Sequence, residues 1–205
     1  MTQERPILFS AEMVRAILDG RKTATRRVVK PQPADDIAPA KFPSGEIAWK
    51  SSLRHAHGNT TAHFCPYGKP GDLLWVRETW AAIRCWEDGH IETPKSIPKD
   101  LGAWNVAFAA DEHPEHVEDR GWSWKPSIHM PRWASRITLE VTGIRVERVR
   151  DISEEDAHAE GFDGSEYTAV TWFRNLWDSI NAKRGYGWDA NPWCWVVTFR
   201  RETTA

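Results

Sequence analysis

The first thirty residues change from a strand-like to a helix-like pattern of apolar and polar positions, and back again. Residues 6–9 and residues 23–29 are typical of strands. Ser10 is a suitable N-cap for a helix, and Gly20 fits the position just past the end of that helix. The apolar stripe of this helix is formed by Met13, Val14, Ile17 and Leu18. The pattern therefore predicts a strand, a helix and a second strand.

The remaining strong patterns lie in the middle and at the end of the chain. Residues 73–83 are typical of one long strand. Residues 136–150 alternate around Thr142-Gly143, which indicates either two strands or one bent strand with a bulge. Two helices and a closing strand are predicted at 153–160, 168–182 and 193–200.

Two segments, about 31–70 and 86–131, have weak periodicity and read as irregular insertions. Each contains one predicted short strand, at 46–49 and 103–110. A chain of 205 residues suits one domain, here 1–205, with these insertions. The order of elements favours an α+β fold, a mostly antiparallel β-barrel with flanking helices, over a doubly wound sheet.

The charge distribution narrows the class of partner. The formal net charge of −2 disfavours a uniformly basic duplex binder. The basic residues are clustered, however, and a local basic face suits a single nucleotide or a short single strand. Thirteen tryptophans could stack on bases, although most are expected in the core. One cluster contains Arg21, Lys22, Arg26, Arg27 and Lys30, and the other Arg132, Arg136, Arg145, Arg148 and Arg150.

The cellular setting is predicted from what the composition lacks. No long apolar run indicates a membrane span, and residues 1–5 lack the apolar centre of a signal peptide. Three irregularly spaced cysteines do not indicate a disulfide framework. We therefore expect a cytoplasmic protein without a membrane partner, and the sequence leaves its oligomeric state open.

The segment Gly20–Arg27 contains more reactive and charged side chains than a connection between a helix and a strand requires. Lys22 can serve as a base toward the hydroxyl of Thr25 if burial or neighbouring cations lower its pKa. Arg21, Arg26 and Arg27 supply such cations. Residues three apart in a regular strand face opposite sides. Lys22 and Thr25 can therefore converge only if Lys22 lies in the turn before the strand.

This segment resembles the signature of the ASCH domains, a branch of the PUA-like β-barrels, through Gly20, Lys22, Thr25 and Arg27. Residues 154–160 are similar to a short helix of small bacterial ASCH proteins that hydrolyse N4-acetylcytidine. The resemblance implies Lys22, Thr25 and Glu160 as catalytic residues. Lys22 would activate Thr25 or a water, and Glu160 would relay a proton to the leaving amine, with no cofactor or metal.

Two further segments, 71–80 and 125–136, resemble ASCH-type proteins of phages and prophages. Through that resemblance we expect a shared pocket in which arginine holds a phosphate, tryptophan stacks a base and glutamate accepts from an amine. The alternative is a barrel seam of core tryptophans and ion pairs. The candidate substrate-binding residues are Arg21, Arg27, Arg77, Glu78, Trp80, His129, Arg132 and Trp133.

Two features leave alternatives open. His55, His57, His63 and Cys65 can ligate zinc, but their spacing matches no finger or ribbon, so a polar loop is the preferred interpretation. The two insertions roughly double the length of the small amidohydrolases and could form a lid or block the pocket. The alternatives to a hydrolase of a modified nucleoside are a module that binds RNA or a modified base, and a ribonuclease.

Overall fold

A computed structural model describes residues 2–41, 47–53, 61–87, 90–102, 104–112, 122–164 and 167–202. The helices of these ranges are α1 (Ala11–Leu18), α2 (Glu154–Ala159) and α3 (Ala169–Asn181). The strands are β1 (Glu4–Leu8), β2 (Ala24–Val28), β3 (Ala38–Lys41), β4 (Ile47–Lys50), β5 (Ala62–His63), β6 (Leu73–Arg77), β7 (Trp80–Cys85), β8 (Ile91–Glu92), β9 (Asn105–Phe108), β10 (Thr138–Arg148) and β11 (Trp193–Arg201).

The main sheet has five strands in the order β1-β6-β10-β11-β2. β1 runs parallel to β6, and the other neighbours are antiparallel. β10 is a single strand whose register shifts between Val141 and Gly143, so the bulged alternative is the one observed. A Cβ on Gly143 would lie 2.7 Å from Thr198 Oγ1, a separation that leaves no room for a side chain at the bulge.

The two edge strands of this sheet, β1 and β2, lie close together. Among the described residues they form no strand pairing with each other. β1 and β2 are the two ends of the hydrogen-bonded order. Arg27 Nη2 on β2 donates to the carbonyl of Leu8 on β1 at 2.9 Å. The α+β class predicted from the sequence is confirmed, with the sheet curled so that a side chain spans the gap between its edges.

The prediction of one long strand at 73–83 was wrong. The chain forms β6 in the main sheet and β7 in a second, three-stranded sheet of order β8-β7-β9. The break falls at Glu78 and Thr79, where the Glu78 carboxylate is buried and paired with Arg136. Val76, Glu78 and Trp80 are all buried, so the alternation of buried positions continues through the break and hides the change of sheet.

The insertions contain strands of their own. The first contributes a three-stranded sheet of order β3-β4-β5, and the second contributes β8 and β9. Helix α1 packs Val14 and Ile17 into the core of the main sheet. Helix α3 buries Phe173 and Trp177 in a second apolar cluster. Within the described ranges, no helix has the length and apolar character that crossing a membrane requires.

Candidate active site

Lys22 lies in the turn between α1 and β2. Gly20 has φ +74°, a conformation that glycine adopts without strain, and it turns the chain after the helix. The Lys22 amide then donates to Ala16 O at 2.9 Å, and the Thr23 amide donates to Ala159 O at 2.8 Å. Lys22 and Glu160 form an isolated antiparallel bridge. The turn is therefore fastened to the ends of both α1 and α2, which brings Lys22 beside Glu160.

Lys22 and Glu160 form a buried ion pair. The Lys22 ammonium donates to Glu160 Oε2 at 2.7 Å and to the Glu160 carbonyl at 2.7 Å. Each residue is 3% exposed. Burial lowers the pKa of Lys22 below its ordinary value; the carboxylate of Glu160 acts in the opposite direction, and the nearby guanidinium groups of Arg27 and Arg26 lower the pKa further. Burial thus makes Lys22 easier to deprotonate than a solvated lysine.

Arg26 extends this pair into a network of charges. Its Nη2 donates to Asp156 Oδ2 at 2.7 Å and to Glu147 Oε2 at 3.1 Å. Its Nη1 lies 3.6 Å from Glu160 Oε1, an ion pair without a hydrogen bond. Arg26 Nη1 and Glu160 Oε1 are both buried and have no hydrogen-bond partner among the described residues. A buried donor and a buried acceptor therefore remain available to a ligand.

Thr25 and Arg27 form a second arrangement. The Thr25 side chain is fully buried, and its hydroxyl oxygen accepts from Arg27 Nη1 at 2.6 Å. The guanidinium carbon of Arg27 and the Lys22 ammonium lie 5.2 and 5.7 Å from the centre of the Phe9 ring. Both cations therefore approach the same aromatic ring, and Thr25 fixes the position of Arg27.

A cavity of about 650 Å³ opens beside these groups. Lys22, Arg26, Arg27 and Glu160 line it, whereas Thr25 is absent from the lining. The remaining walls come from three parts of the chain: β1 with the residues after it, the end of the first insertion, and α3. The aromatic lining residues are Phe9, Phe64, Tyr67, Phe173, Trp177 and Trp195. A cavity of this size and lining is typical of sites for small ligands.

The first insertion forms part of this wall. Phe64, Pro66 and Tyr67 line the cavity from the end of that insertion. Burial raises the pKa of the Tyr67 phenol, and the neighbouring charge of Arg27 acts in the opposite direction. The described part of the insertion therefore shapes one wall of the cavity.

Arg21 lies outside the cavity and stabilises the site through hydrogen bonds to neighbouring turns. It donates to the carbonyl of Gly161 and to Asp19, both at 2.9 Å. Gly161 has φ +104°, and a Cβ there would lie 3.0 Å from Ala16 Cβ and 3.3 Å from Lys22 Cβ. Close packing at Gly161 brings the end of α2, and with it Glu160, against Lys22.

The six remaining substrate-binding candidates do not line this cavity. Trp80 is fully buried and packs edge-on against Trp133 at 5.6 Å, in a cluster with Met130. Arg77 and Arg132 both lie over the ring of Trp75. His129 is exposed. These residues gather in another part of the fold, and their role in substrate binding stays a prediction.

Glu78 is the charged member of that second group. It is 1% exposed and accepts from Arg136 Nε at 3.0 Å and from Arg136 Nη2 at 3.1 Å. Arg136 also donates to Asp111 and lies 3.8 Å from the centre of the Phe108 ring. Burial raises the pKa of Glu78, and Arg136 opposes that rise. This geometry corresponds to the ion-paired seam that was the alternative to a ligand pocket.

Glu78→Gln is expected to change how stability depends on pH. The folded-state pKa of Glu78 is raised above the ordinary glutamate value of 4.5, so the native state binds this proton more tightly than the unfolded chain. The contribution of Glu78 to stability is therefore greatest in acid and falls as the pH rises from about 4.5 through the folded-state pKa. Urea unfolding across this window should show the decrease in the wild type and a smaller one in Glu78→Gln. Glu140→Gln, at a partly exposed carboxylate, is the control, and equal slopes in all three proteins would contradict the assignment.

The zinc alternative falls partly outside the described residues, because His55 and His57 are not among them. His63 is buried, and burial raises the pKa of the Cys65 thiol to about 12. Among the described residues, no group of three or more histidine, cysteine, aspartate and glutamate side chains could hold a metal ion.

Comparison with known proteins gives a distant structural similarity. No family model and no curated protein matches the sequence. An ASCH domain from Lactobacillus crispatus JV V101 is similar in structure with a TM-score of 0.42 and 14% identity, over 97% of this chain and 79% of that one. Protein EF3133 from Enterococcus faecalis V583, of family DUF984, gives 0.42 and 10%, over 100% and 85%. Similarity at this level does not assign the chain to a family or identify its ligand.

The sequence did not single out several residues of the site. Arg26 was considered only as a neighbouring cation, yet it is the buried centre of the network. Phe173 and Trp177 lie on the helix predicted at 168–182, and they also line the cavity. The available signal for Arg26 was the presence of three arginines shortly after Gly20. The pattern could not show which of the three, Arg21, Arg26 or Arg27, is buried.

Proposed function

We propose that this protein is a nucleobase-directed amidohydrolase that removes an acyl group from the exocyclic amine of a cytidine. One observation carries the proposal: the buried Lys22–Glu160 pair lines an aromatic cavity, and one carboxylate oxygen of the pair has no hydrogen-bond partner among the described residues. The aromatic walls favour a planar base, and the polar end of the cavity contains groups that transfer protons.

The pair is suited to hydrolysis because it holds one proton in common. Transfer across the 2.7 Å hydrogen bond converts the ammonium and carboxylate into an amine and a carboxylic acid. Burial favours the uncharged amine of Lys22, since it lowers the pKa of that group. In that form Lys22 is a base and Glu160 is an acid, which are the two roles that amide hydrolysis requires.

The chemical steps then balance. Lys22 takes a proton from water as the water oxygen bonds to the acyl carbon. Arg26 Nη1, which has no hydrogen-bond partner among the described residues, donates to the oxyanion that forms. The carbon–nitrogen bond breaks, and Glu160 gives its proton to the leaving amine. Lys22 returns the proton to Glu160, and the products are a carboxylic acid and an unmodified cytidine.

Water is the nucleophile in this proposal. Thr25 does not line the cavity, and its hydroxyl oxygen already accepts a hydrogen bond from Arg27. The role assigned to Thr25 is to position Arg27 at the wall of the cavity. Thr25→Val keeps the shape of the side chain and separates the two roles: it should reduce hydrolysis only modestly if water attacks, and abolish it if the threonine does.

The test is incubation with N4-acetylcytidine and chromatography of the cytidine released. We expect release by the wild type and a decrease in kcat/KM of about 10²–10⁴-fold in Glu160→Gln, the usual effect of losing a general acid. Glu155→Gln is the matched control, because Glu155 is an exposed carboxylate on the same helix. Wild-type protein that binds cytidine but releases none from N4-acetylcytidine would refute the hydrolase and leave a module that binds bases.

A further inference from the structure

The mouth of the cavity has two basic residues that the proposed hydrolysis does not use. Lys30 follows the end of β2, and Arg184 follows the end of α3. Both are exposed and both line the cavity. Their side chains are therefore open to solvent on one side and to the cavity on the other.

A single aromatic residue links these two positions. Lys30 Nζ lies 5.2 Å from the centre of the Tyr186 ring. Tyr186 is held to α3 by two hydrogen bonds, since its amide donates to Asn181 O at 3.2 Å and its carbonyl accepts from Trp177 Nε1 at 2.7 Å. Arg184 precedes Tyr186 by two residues in the same turn. Lys30 and Arg184 consequently flank one rigid turn at the mouth.

The charges around the cavity are strongly unbalanced. Its lining contains the basic residues Lys22, Arg26, Arg27, Lys30 and Arg184, and Glu160 is the one acidic residue in the lining as described. Glu160 is already opposed by Lys22 and Arg26. In the described ranges, neither Lys30 nor Arg184 forms an ion pair with a carboxylate. Among the described residues, the mouth therefore has an excess of positive charge that no ion pair neutralises.

We propose that Lys30 and Arg184 bind a phosphate group of the substrate, so that the substrate is a nucleoside phosphate or a nucleotide within a short strand rather than a free nucleoside. This placement rests on the proposed function, which puts the base beside Glu160. The phosphate of a nucleotide whose base lies deep in the cavity points toward the solvent, where the two cations are. Arginine and lysine bind phosphate through charge-assisted hydrogen bonds.

Calorimetry with unmodified ligands tests this inference without requiring catalysis. We expect cytidine 5′-monophosphate or cytidine 3′-monophosphate to bind at least about tenfold more tightly than cytidine at low salt, and this difference to shrink as the ionic strength rises. A cytidine trinucleotide is the third arm. The phosphate ligand with the highest affinity shows whether the site recognises a 5′-phosphate, a 3′-phosphate or the phosphates of a short strand. Equal affinity of all three and cytidine would overturn the proposal.

Variants then assign the effect to the two residues. Lys30→Met with Arg184→Met should remove the preference for phosphate and leave the affinity for cytidine within about twofold. Lys183→Met is the matched control, since Lys183 lies in the same turn at the C-terminal end of α3 but does not line the cavity. The Lys183→Met variant therefore reproduces the loss of a positive charge near the C-terminus of the helix, where a cation interacts favourably with the helix dipole. A phosphate preference that survives in the double variant would also overturn the inference.

The two proposals fail in different ways. A protein that binds the phosphate ligands as expected but does not hydrolyse N4-acetylcytidine or its 5′-monophosphate would refute the hydrolase alone. A protein that hydrolyses N4-acetylcytidine and binds cytidine as tightly as every phosphate ligand would refute the phosphate site alone.

Discussion

Lys22→Met is expected to lower the free energy of unfolding by about 3–5 kcal/mol at neutral pH, the usual cost of removing one partner of a buried ion pair. The methionine fills a similar volume, so the loss arises mainly from Glu160, which is 3% exposed and would lose both its ammonium partner and its shortest hydrogen bond. Arg26, at 3.6 Å, compensates in part. Urea unfolding at constant pH measures the change.

A double-mutant cycle separates the pair from the packing. Lys22→Met combined with Glu160→Gln removes both charges, so the double variant should be more stable than the sum of the single losses predicts, by about 0.5–3 kcal/mol. Lys69→Met is the control for replacing an exposed lysine, and we expect a change within about 0.5 kcal/mol. Additive losses in the cycle would show that the two side chains do not stabilise one another.

Lys22→Arg is expected to reduce hydrolysis of N4-acetylcytidine by about 10²–10⁴-fold although it retains a positive charge beside Glu160. Arginine keeps its proton throughout the accessible pH range, so it cannot act as the base. Lys183→Arg is the matched control: it makes the same chemical change at an exposed lysine outside the cavity, and its activity should stay within about threefold of the wild type. Cytidine binding, measured by calorimetry, checks that the cavity in Lys22→Arg remains open.

The pH profile gives this prediction a second readout. The proposed mechanism needs one proton on the Lys22–Glu160 pair, so the wild-type kcat/KM should fall as the pH rises through the pKa of Lys22, which lies below the ordinary value of 10.5. Above that pKa, no proton is left on the pair for Glu160 to give to the leaving amine. The residual activity of Lys22→Arg should lack this fall, because arginine keeps its proton. Full activity in Lys22→Arg, or a wild-type profile without a fall, would show that Lys22 only holds the structure together.

The two sets of candidate residues lie in different parts of the fold. Lys22 and Glu160 meet, whereas Glu78 and Trp80 lie in a separate cluster built on β7. The sequence offers no reason to separate the two sets, because each combines arginine with glutamate. The separation follows from the break at Glu78 and Thr79, after which the chain enters another sheet.

Local features of the fold were predictable because their causes act within a few residues. Ser10 caps α1 as expected, and Ser153 caps α2 in the same way, each accepting from the amide three residues later. The bulge of β10 was one of two alternatives at Thr142-Gly143. The bounds of α3 and β11 agree with the predicted ranges to within two residues, since their apolar periods are long and regular.

The sequence by itself determined the helices, most of the strands and, through the resemblance of two short segments to a known family, the pair of residues that we propose for the centre of the site. Tertiary structure decided which of these side chains meet. Lys22 and Glu160 are 138 positions apart, and their contact depends on a bridge between two turns that no local pattern encodes. Burial of Arg26, the course of β6 and β7, and the contribution of the first insertion to the cavity wall likewise depend on packing between distant segments. Periodicity and capping act over a single turn or strand, whereas the electrostatic environment of Lys22 depends on the whole fold.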